Sequence, residues 1–237
     1  MDGKEVFSVL IPEDFNFTGK TKENEEVVIK NGKLVEGYMD RANLGEGSGM
    51  LLRNIHKKYG KNFTIDLLGK LFRLGIEVLL SRGFTCSVSD TDLPENASLK
   101  VQETLNNAKK EVDKLIDLYK DNKLEAFPGR TLEESIELRI LEVLNKARNE
   151  TGELVAKFAD KNSHTMIMAK SGARGNLLNL AQMAACVGQQ AMRGKRIEKG
   201  FEGRTLSAFK KNDLSPDGRG FISNRFKTGL TPTEFFF

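Results

Sequence analysis

The chain has 237 residues, 39% hydrophobic and 30% charged, with a formal net charge of +4, which is enough apolar material for one large domain or two small ones under a water-facing surface. No run reaches the roughly 18–20 apolar residues that a membrane-crossing helix needs, and Met1-Asp-Gly-Lys-Glu5 lacks the basic-then-apolar order of a secretory signal. Cys86 and Cys186 stand far apart without CxxC spacing, which excludes a disulfide framework or a zinc ribbon and predicts two reduced thiols in a cytoplasmic protein with no membrane partner.

Residues 27–39 read as a β-hairpin. Val27-Val-Ile29 and Leu34-Val35 supply the strands, and Asn31-Gly32 suits the type I′ turn that matches strand twist. Leu44-Gly-Glu-Gly-Ser-Gly-Met50 then reads as a flexible turn into a helix from Met50 to about Lys58. Its glycines do not fit a phosphate-binding P-loop, because no Lys-Ser/Thr follows at the required place. A second helix from about Phe63 to Ser81 puts Ile65, Leu68, Phe72, Ile76 and Leu79 on one face, with Gly83 ending it. Asp90 and Asp92 could share a cation, but a Ser-Asp-Thr-Asp turn before Leu93-Pro94 is the simpler account. His56 and His164 sit in no ligand pattern, so no metal site is expected.

The middle of the chain carries the clearest periodicity. Val101, Leu105, Ala108, Val112, Leu115 and Tyr119 recur at helical spacing, and Leu132, Ile136, Ile140, Val143 and Ala147 repeat the pattern. Between them Pro128-Gly129 breaks the helix, and Thr131 with Glu134 forms a capping box for the next one. Two long amphipathic helices joined by a short turn predict an antiparallel hairpin, with Phe127, Pro128 and Arg130 at its tip. Such a hairpin braces, lines a passage or presents its tip; a plain turn is the simpler reading of that tip.

Beyond Gly152 the helical pattern fades near Asn162-Ser-His164, and the apolar stretch 166–169 precedes Ser171-Gly-Ala-Arg-Gly175. Residues 177–192 read as a small-residue helix, continuous or broken at Gly188, and 194–220 as irregular. From Lys170 to Lys227 there are twelve Lys/Arg against four Asp/Glu, a balance of +8 that leaves −4 for the remainder. That asymmetry fits a surface facing phosphates, or simply a solvated basic face. Arg174, between Gly172 and Gly175, can hold a phosphate oxygen with help from exposed amides, or pair with a nearby acid. Lys195 and Arg196 beside Gly194 carry the same ambiguity. Gln182, Gln189 and Gln190 can bond without charge, and the first two share a face if their helix is continuous. Pro232, Thr233 and Glu234 read as a first helical turn running into Phe235-Phe-Phe237, an apolar finish that predicts a piece of something larger.

Several phrases in one order resemble the largest subunit of multisubunit DNA-directed RNA polymerases, of the archaeal A-prime type. They are Val27-Val-Ile-Lys-Asn-Gly-Lys-Leu-Val-Glu-Gly37, Gly83-Phe-Thr-Cys-Ser-Val-Ser-Asp-Thr91, Ser171-Gly-Ala-Arg-Gly175, Gln182-Met-Ala-Ala-Cys-Val-Gly-Gln-Gln190, Phe201-Glu-Gly-Arg-Thr-Leu206 and Gly229-Leu-Thr-Pro-Thr-Glu-Phe-Phe-Phe237. Cys86 and Val88 depart from the family's commonest form of the second phrase. The resemblance covers nearly the whole chain. It implies an internal piece with a mainly helical α+β structure. Residues 1–95 would be a pore-like region with the β-hairpin, 96–165 a funnel-like helical hairpin, and 166–237 a channel segment reaching the start of the bridge helix.

The resemblance further implies that Ser171, Arg174, Gln182, Gln189, Gln190, Lys195 and Arg196 line the nucleotide channel or active-centre floor, and that the tip at Phe127, Pro128 and Arg130 receives a transcript-cleavage factor. Partners would be the other polymerase subunits, template DNA, RNA and NTPs. Nucleotidyl transfer in the family uses two magnesium ions held by an Asp-Phe-Asp-Gly-Asp loop, and no such triad occurs in these residues. The chain by itself is therefore expected to hold no cofactor and to be inert, with Mg2+ belonging to the intact enzyme. Two other readings stay open: a freestanding basic nucleic-acid-binding protein and a helical-hairpin scaffold that docks a protein partner.

Overall fold

The computed structural model describes residues 2–47 and 49–237, so Ser48 of the glycine-rich turn lies outside the described residues. Helices run over α1 (Gly3–Ser8), α2 (Arg41–Leu44), α3 (Met50–Arg82), α4 (Glu95–Lys120), α5 (Leu132–Phe158), α6 (His164–Ser171), α7 (Leu177–Ala184) and α8 (Pro232–Phe235). Strands are β1 (Phe17–Lys20), β2 (Glu26–Lys30), β3 (Lys33–Glu36), β4 (Gly188–Gln189), β5 (Ala191–Met192), β6 (Lys195–Arg196) and β7 (Phe221–Ile222). The fold is mainly helical α+β. It divides into two compact units, Met1–Cys86 with Lys161–Asn176, and Ser87–Asp160 with Leu177–Phe237.

In the first unit β1, β2 and β3 form an antiparallel sheet in that order. Asn31 and Gly32 both take positive φ, 48° and 73°, as the tight hairpin between β2 and β3 requires. The sheet buries Phe17, Val27, Ile29 and Leu34 against Phe7, Ile11 and Phe15 from the N-terminal segment and Leu51, Ile55 and Leu67 from α3. Gly60, at φ 80° and ψ −179°, interrupts α3 between the two helices the spacing predicts.

In the second unit α4 and α5 pack along each other. Their buried residues are Ala97, Val101, Leu105, Ala108, Val112 and Ile116 on α4, facing Ile136, Ile140, Leu144, Ala147, Thr151 and Val155 on α5. The stripes differ from the predicted ones by single steps: Ile116 rather than Leu115, and Leu144 rather than Val143, occupies the seam. Thr131 and Glu134 make both bonds of the capping box, Glu134 N to Thr131 Oγ1 at 3.1 Å and Thr131 N to Glu134 Oε2 at 3.2 Å. Leu180, Ala181 and Ala184 of α7 are buried, and α7 packs against α5 with Ala181 beside Gly152, where an added Cβ would lie 3.7 Å from Ala181 Cβ, an ordinary contact.

Candidate functional site

The predicted site residues fall in both units, and each group is built by its own neighbours. In the first unit, α6 is capped by Ser163, whose hydroxyl accepts from Met166 N, and it ends at Gly172 in the left-handed conformation, φ 73°. Gly175 repeats that conformation at φ 68°. A side chain is strained at both positions, so the turn needs glycine on each side of Arg174. Ser171 Oγ donates to Met168 O at 3.3 Å and accepts from Ala173 N at 3.4 Å, so it shapes the turn. Arg174 N donates to Met168 O at 3.4 Å while its side chain stays exposed. The ion pairs found among the described residues do not include Arg174.

Beside this turn lies a cleft of about 560 Å³, lined by Met39, Asp40, Arg41, Leu44, Gly45, Glu46, Ser171, Gly172 and Ala173. Arg41 packs on the turn, since a Cβ on Gly172 would come within 3.0 Å of Arg41 Cβ. Asp40 is already committed. It is buried, its Oδ1 accepts from Ala42 N and Asn43 Nδ2, and its Oδ2 accepts from Lys22 N at 2.6 Å. The region thus joins an uncommitted guanidinium to a left-handed turn, a pairing suited to phosphate oxygens.

In the second unit the three glutamines do not share a helix face. α7 stops at Ala184, and the last-turn carbonyls of Gln182, Met183 and Ala184 accept from Phe226 N, Lys227 N and Arg225 Nη1. A guanidinium there also suits the negative end of the helix. Gln182 remains half-buried on α7, whereas Gln189 lies in β4, paired with β7. Gln189 is 5% exposed, and its Nε2 donates to Gln190 O at 2.7 Å and Arg219 O at 2.8 Å, which fastens β4 to the segment before β7. Gln190 N donates to Gly220 O at 2.8 Å, and its half-buried side chain reaches back to Gly188 O.

Residues 191–196 form a two-stranded hairpin turning on Arg193 and Gly194, both at positive φ. Strand alternation then separates Lys195 from Arg196: Lys195 is exposed and Arg196 is buried. Arg196 grips Glu137 of α5 with both ends of its fork, Nε to Oε2 at 2.8 Å and Nη2 to Oε1 at 3.0 Å. It donates again to the carbonyls of Leu214 and Ser215. No donor on that guanidinium faces solvent, since its side chain is 0% exposed.

At the tip of the α4–α5 hairpin Pro128 and Arg130 are exposed and Phe127 is half-buried, with its amide bonded to Ser135 Oγ. Arg139 stacks 4.9 Å over the Phe127 ring. Arg130, Glu133, Lys195 and Arg196 line one cleft of about 210 Å³, so the tip and the 191–196 hairpin meet.

Residues 1–91 match the family described as RNA polymerase Rpb1, domain 3, and residues 115–222 match RNA polymerase Rpb1, domain 4. The chain belongs to the Rpb1 family, the largest subunit of RNA polymerase. Its Rpb1-type relatives include DNA-directed RNA polymerase subunit Rpo1N of Methanothermobacter thermautotrophicus, 41% identical over 99% of this chain and 29% of that subunit. The Rpo1N subunit of Methanocaldococcus jannaschii is 40% identical over 99% of this chain and 19% of its own length. That of Halococcus morrhuae is 42% identical over 93% of this chain and 63% of its length. The chain therefore spans less than a third of the first two relatives.

Sequence reasoning missed several residues that shape these candidate regions. Arg41 carries no local signal for its place beside Gly172. Glu137 is one acid among many on α5, and only the fold brings it to Arg196. Among the described residues, ion pairs join Lys170 with Glu23, Arg196 with Glu137, Lys211 with Glu202, Arg219 with Glu198 and Lys227 with Asp92, so the basic stretch from Lys170 to Lys227 is partly neutralised. The last of these engages one of the two aspartates considered for a cation. Among the described residues no three His, Cys, Asp or Glu side chains gather as metal ligands.

Proposed function

We propose that this chain is the part of a DNA-directed RNA polymerase largest subunit that forms the nucleotide-access pore and funnel and leads into the bridge helix. Residues 1–95 would supply the pore, 96–165 the funnel and 166–237 the channel floor, in a cytoplasmic assembly with the other polymerase subunits, template DNA, RNA and NTPs. The observation that carries this reading is Arg174, an exposed guanidinium on a two-glycine turn that no carboxylate of the described residues neutralises. Such a group binds and orients a triphosphate without taking part in proton transfer.

Bond formation in this family needs magnesium, and among the described residues no three His, Cys, Asp or Glu side chains gather that could hold it, so no chemical step is assigned to these residues. Their work is to attract, hold and pass nucleotides. Ser171 keeps the Arg174 turn in shape, Lys195 adds an exposed cation, and Gln182, Gln189, Gln190 and Arg196 hold the surrounding backbone in place. In a complete polymerase carrying this sequence, Arg174→Ala should slow nucleotide addition by roughly tenfold or more while subunit assembly stays intact, as expected for one lost charge-assisted contact. Normal elongation kinetics would sink the assignment.

The hairpin tip is the proposed seat of a transcript-cleavage factor, supported by an accessible Pro128 and Arg130 beside a half-buried aromatic ring. Phe127→Ala combined with Arg130→Ala should weaken factor-stimulated cleavage and leave basal elongation alone. An unchanged cleavage response would make the tip a structural turn.

A further inference from the structure

Beyond Gly60, α3 carries apolar residues on two opposite faces. Phe63, Leu67 and Leu71 recur every four residues and pack on the core of their own unit, with Leu67 1% exposed. Ile65, Leu68, Phe72, Ile76 and Leu79 form a second stripe, roughly half a turn away on a helix of about 3.6 residues per turn. They are 57%, 43%, 71%, 40% and 50% exposed. Asp66, Lys70, Arg73 and Glu77 are confined to one flank between the two, where Lys70 pairs with Asp66 at 2.7 Å. A helix on a protein surface shows one apolar stripe, whereas a helix apolar on opposite sides is enclosed between two layers. The unit supplies one of those layers.

Two glycines border the exposed stripe. A Cβ added to Gly75 would meet nothing within 4 Å, and one on Gly69 would meet only Arg73 Nη2 at 3.9 Å. Among the described residues nothing explains glycine at either place, although glycine weakens a helix interior; close approach of another backbone does explain it. The stripe holds no charge, so it offers nothing to phosphates, and none of the described helices is long and apolar enough to cross a membrane. Two of the relatives leave most of their length outside the span this chain covers, 71% by difference from the 29% matched in one of them.

We infer that the Ile65–Leu68–Phe72–Ile76–Leu79 face is the seat of an apolar segment from the remainder of the same largest subunit, packed closely over Gly69 and Gly75. The inference rests on the reading of this chain as part of that subunit. The test is photocrosslinking in a complete polymerase whose largest subunit carries this sequence, with benzoylphenylalanine in place of Phe72. The expected adduct joins position 72 to a peptide of the largest subunit outside this span. An adduct to a different subunit, an adduct to a second copy of this chain, or no adduct overturns the inference.

A second measurement uses Phe72→Glu with Leu79→Glu, which should lower recovery of the largest subunit in assembled enzyme at least tenfold, while Lys70→Ala on the charged flank leaves it unchanged. Full recovery of the double variant also overturns the inference. Failure of the nucleotide-channel reading would show instead in the elongation rate of Arg174→Ala, which does not depend on what covers α3.

Discussion

Ser171–Gly175 and Gly194–Ile197 look alike as sequence: each sets cations beside glycine in the basic third of the chain. In the structure they are put to opposite uses. Arg174 projects from a left-handed turn with its guanidinium open, while Arg196 points inward and spends its donors on Glu137, Leu214 and Ser215. Strand alternation decides the second case, because the hairpin that exposes Lys195 must turn its neighbour toward α5. A glycine-flanked cation is thus a candidate ligand group only where no acid from a distant element reaches it.

The strongest way to break this comparison is to remove the inward arginine. Arg196→Ala leaves Glu137 without its partner and two carbonyls without donors. Loss of one member of a buried pair costs about 3 kcal/mol or more, and the partial exposure of Glu137 puts this case near the low end. Arg196→Lys should recover only part of that, since an ammonium cannot grip both carboxylate oxygens in the same plane. Denaturant unfolding followed in the second unit checks both. A loss under about 0.5 kcal/mol, the scale of an ordinary surface change, would erase the distinction between the two arginines.

A middle-sized effect is expected at Glu234, an acid consumed as fully as Arg196. Its Oε2 accepts from Thr231 N at 2.9 Å, Thr231 Oγ1 at 2.9 Å and Asn224 Nδ2 at 2.7 Å, and its Oε1 accepts from Asn224 N at 3.1 Å. Partial burial would raise this carboxyl, but the bonds from Thr231 and Asn224 together outweigh it and hold the group below its ordinary range. A carboxyl lowered by folding contributes stability that is present above its unfolded pKa and lost as pH falls through its folded one. Glu234→Gln keeps one acceptor oxygen but sets an amide donor where the other accepted, and should cost about 1 kcal/mol at neutral pH, the scale of one lost hydrogen bond. It should also flatten the acid-side decline in amide protection at Asn224 and Thr231. A decline as steep in the variant as in the parent chain would assign it to another acid.

Local chemistry was legible where it was self-contained. Asn31-Gly32 specified its hairpin, and Thr131 with Glu134 specified its cap. The α4 and α5 periodicities gave the packing faces to within one residue, because rows such as Leu115/Ile116 and Val143/Leu144 adjoin on the helix surface and only the partner helix chooses between them. Where α7 ends was not legible. The 177–192 segment reads as apolar and small enough to continue, yet it stops at Ala184, where Arg225, 41 residues away, takes the Ala184 carbonyl and the amides of Phe226 and Lys227 take those of Gln182 and Met183, and Gly188 turns the chain at φ 86°. The Ile65–Leu79 stripe was found by spacing, but its outward direction was not, since Phe63, Leu67 and Leu71 already satisfy the unit's core. At the site the same rule holds. The Arg174 turn could be read from its glycines, whereas the partner that claims Arg196 lies 59 residues away.

The smallest expected effect is the most discriminating. If Arg174 is held for a ligand and makes no stabilising contact, Arg174→Ala should change stability by no more than about 0.5 kcal/mol. Lys195→Ala should behave the same way, because its side chain is exposed while its strand is fixed by the neighbouring arginine. A stability loss at Arg174 comparable with that at Arg196 would mean that an unseen acid claims it, and the phosphate reading of the turn would lose its basis. Unchanged stability together with slowed nucleotide addition would separate the two arginines by what each one does: one holds the fold together, and the other is left free by the fold to hold something else.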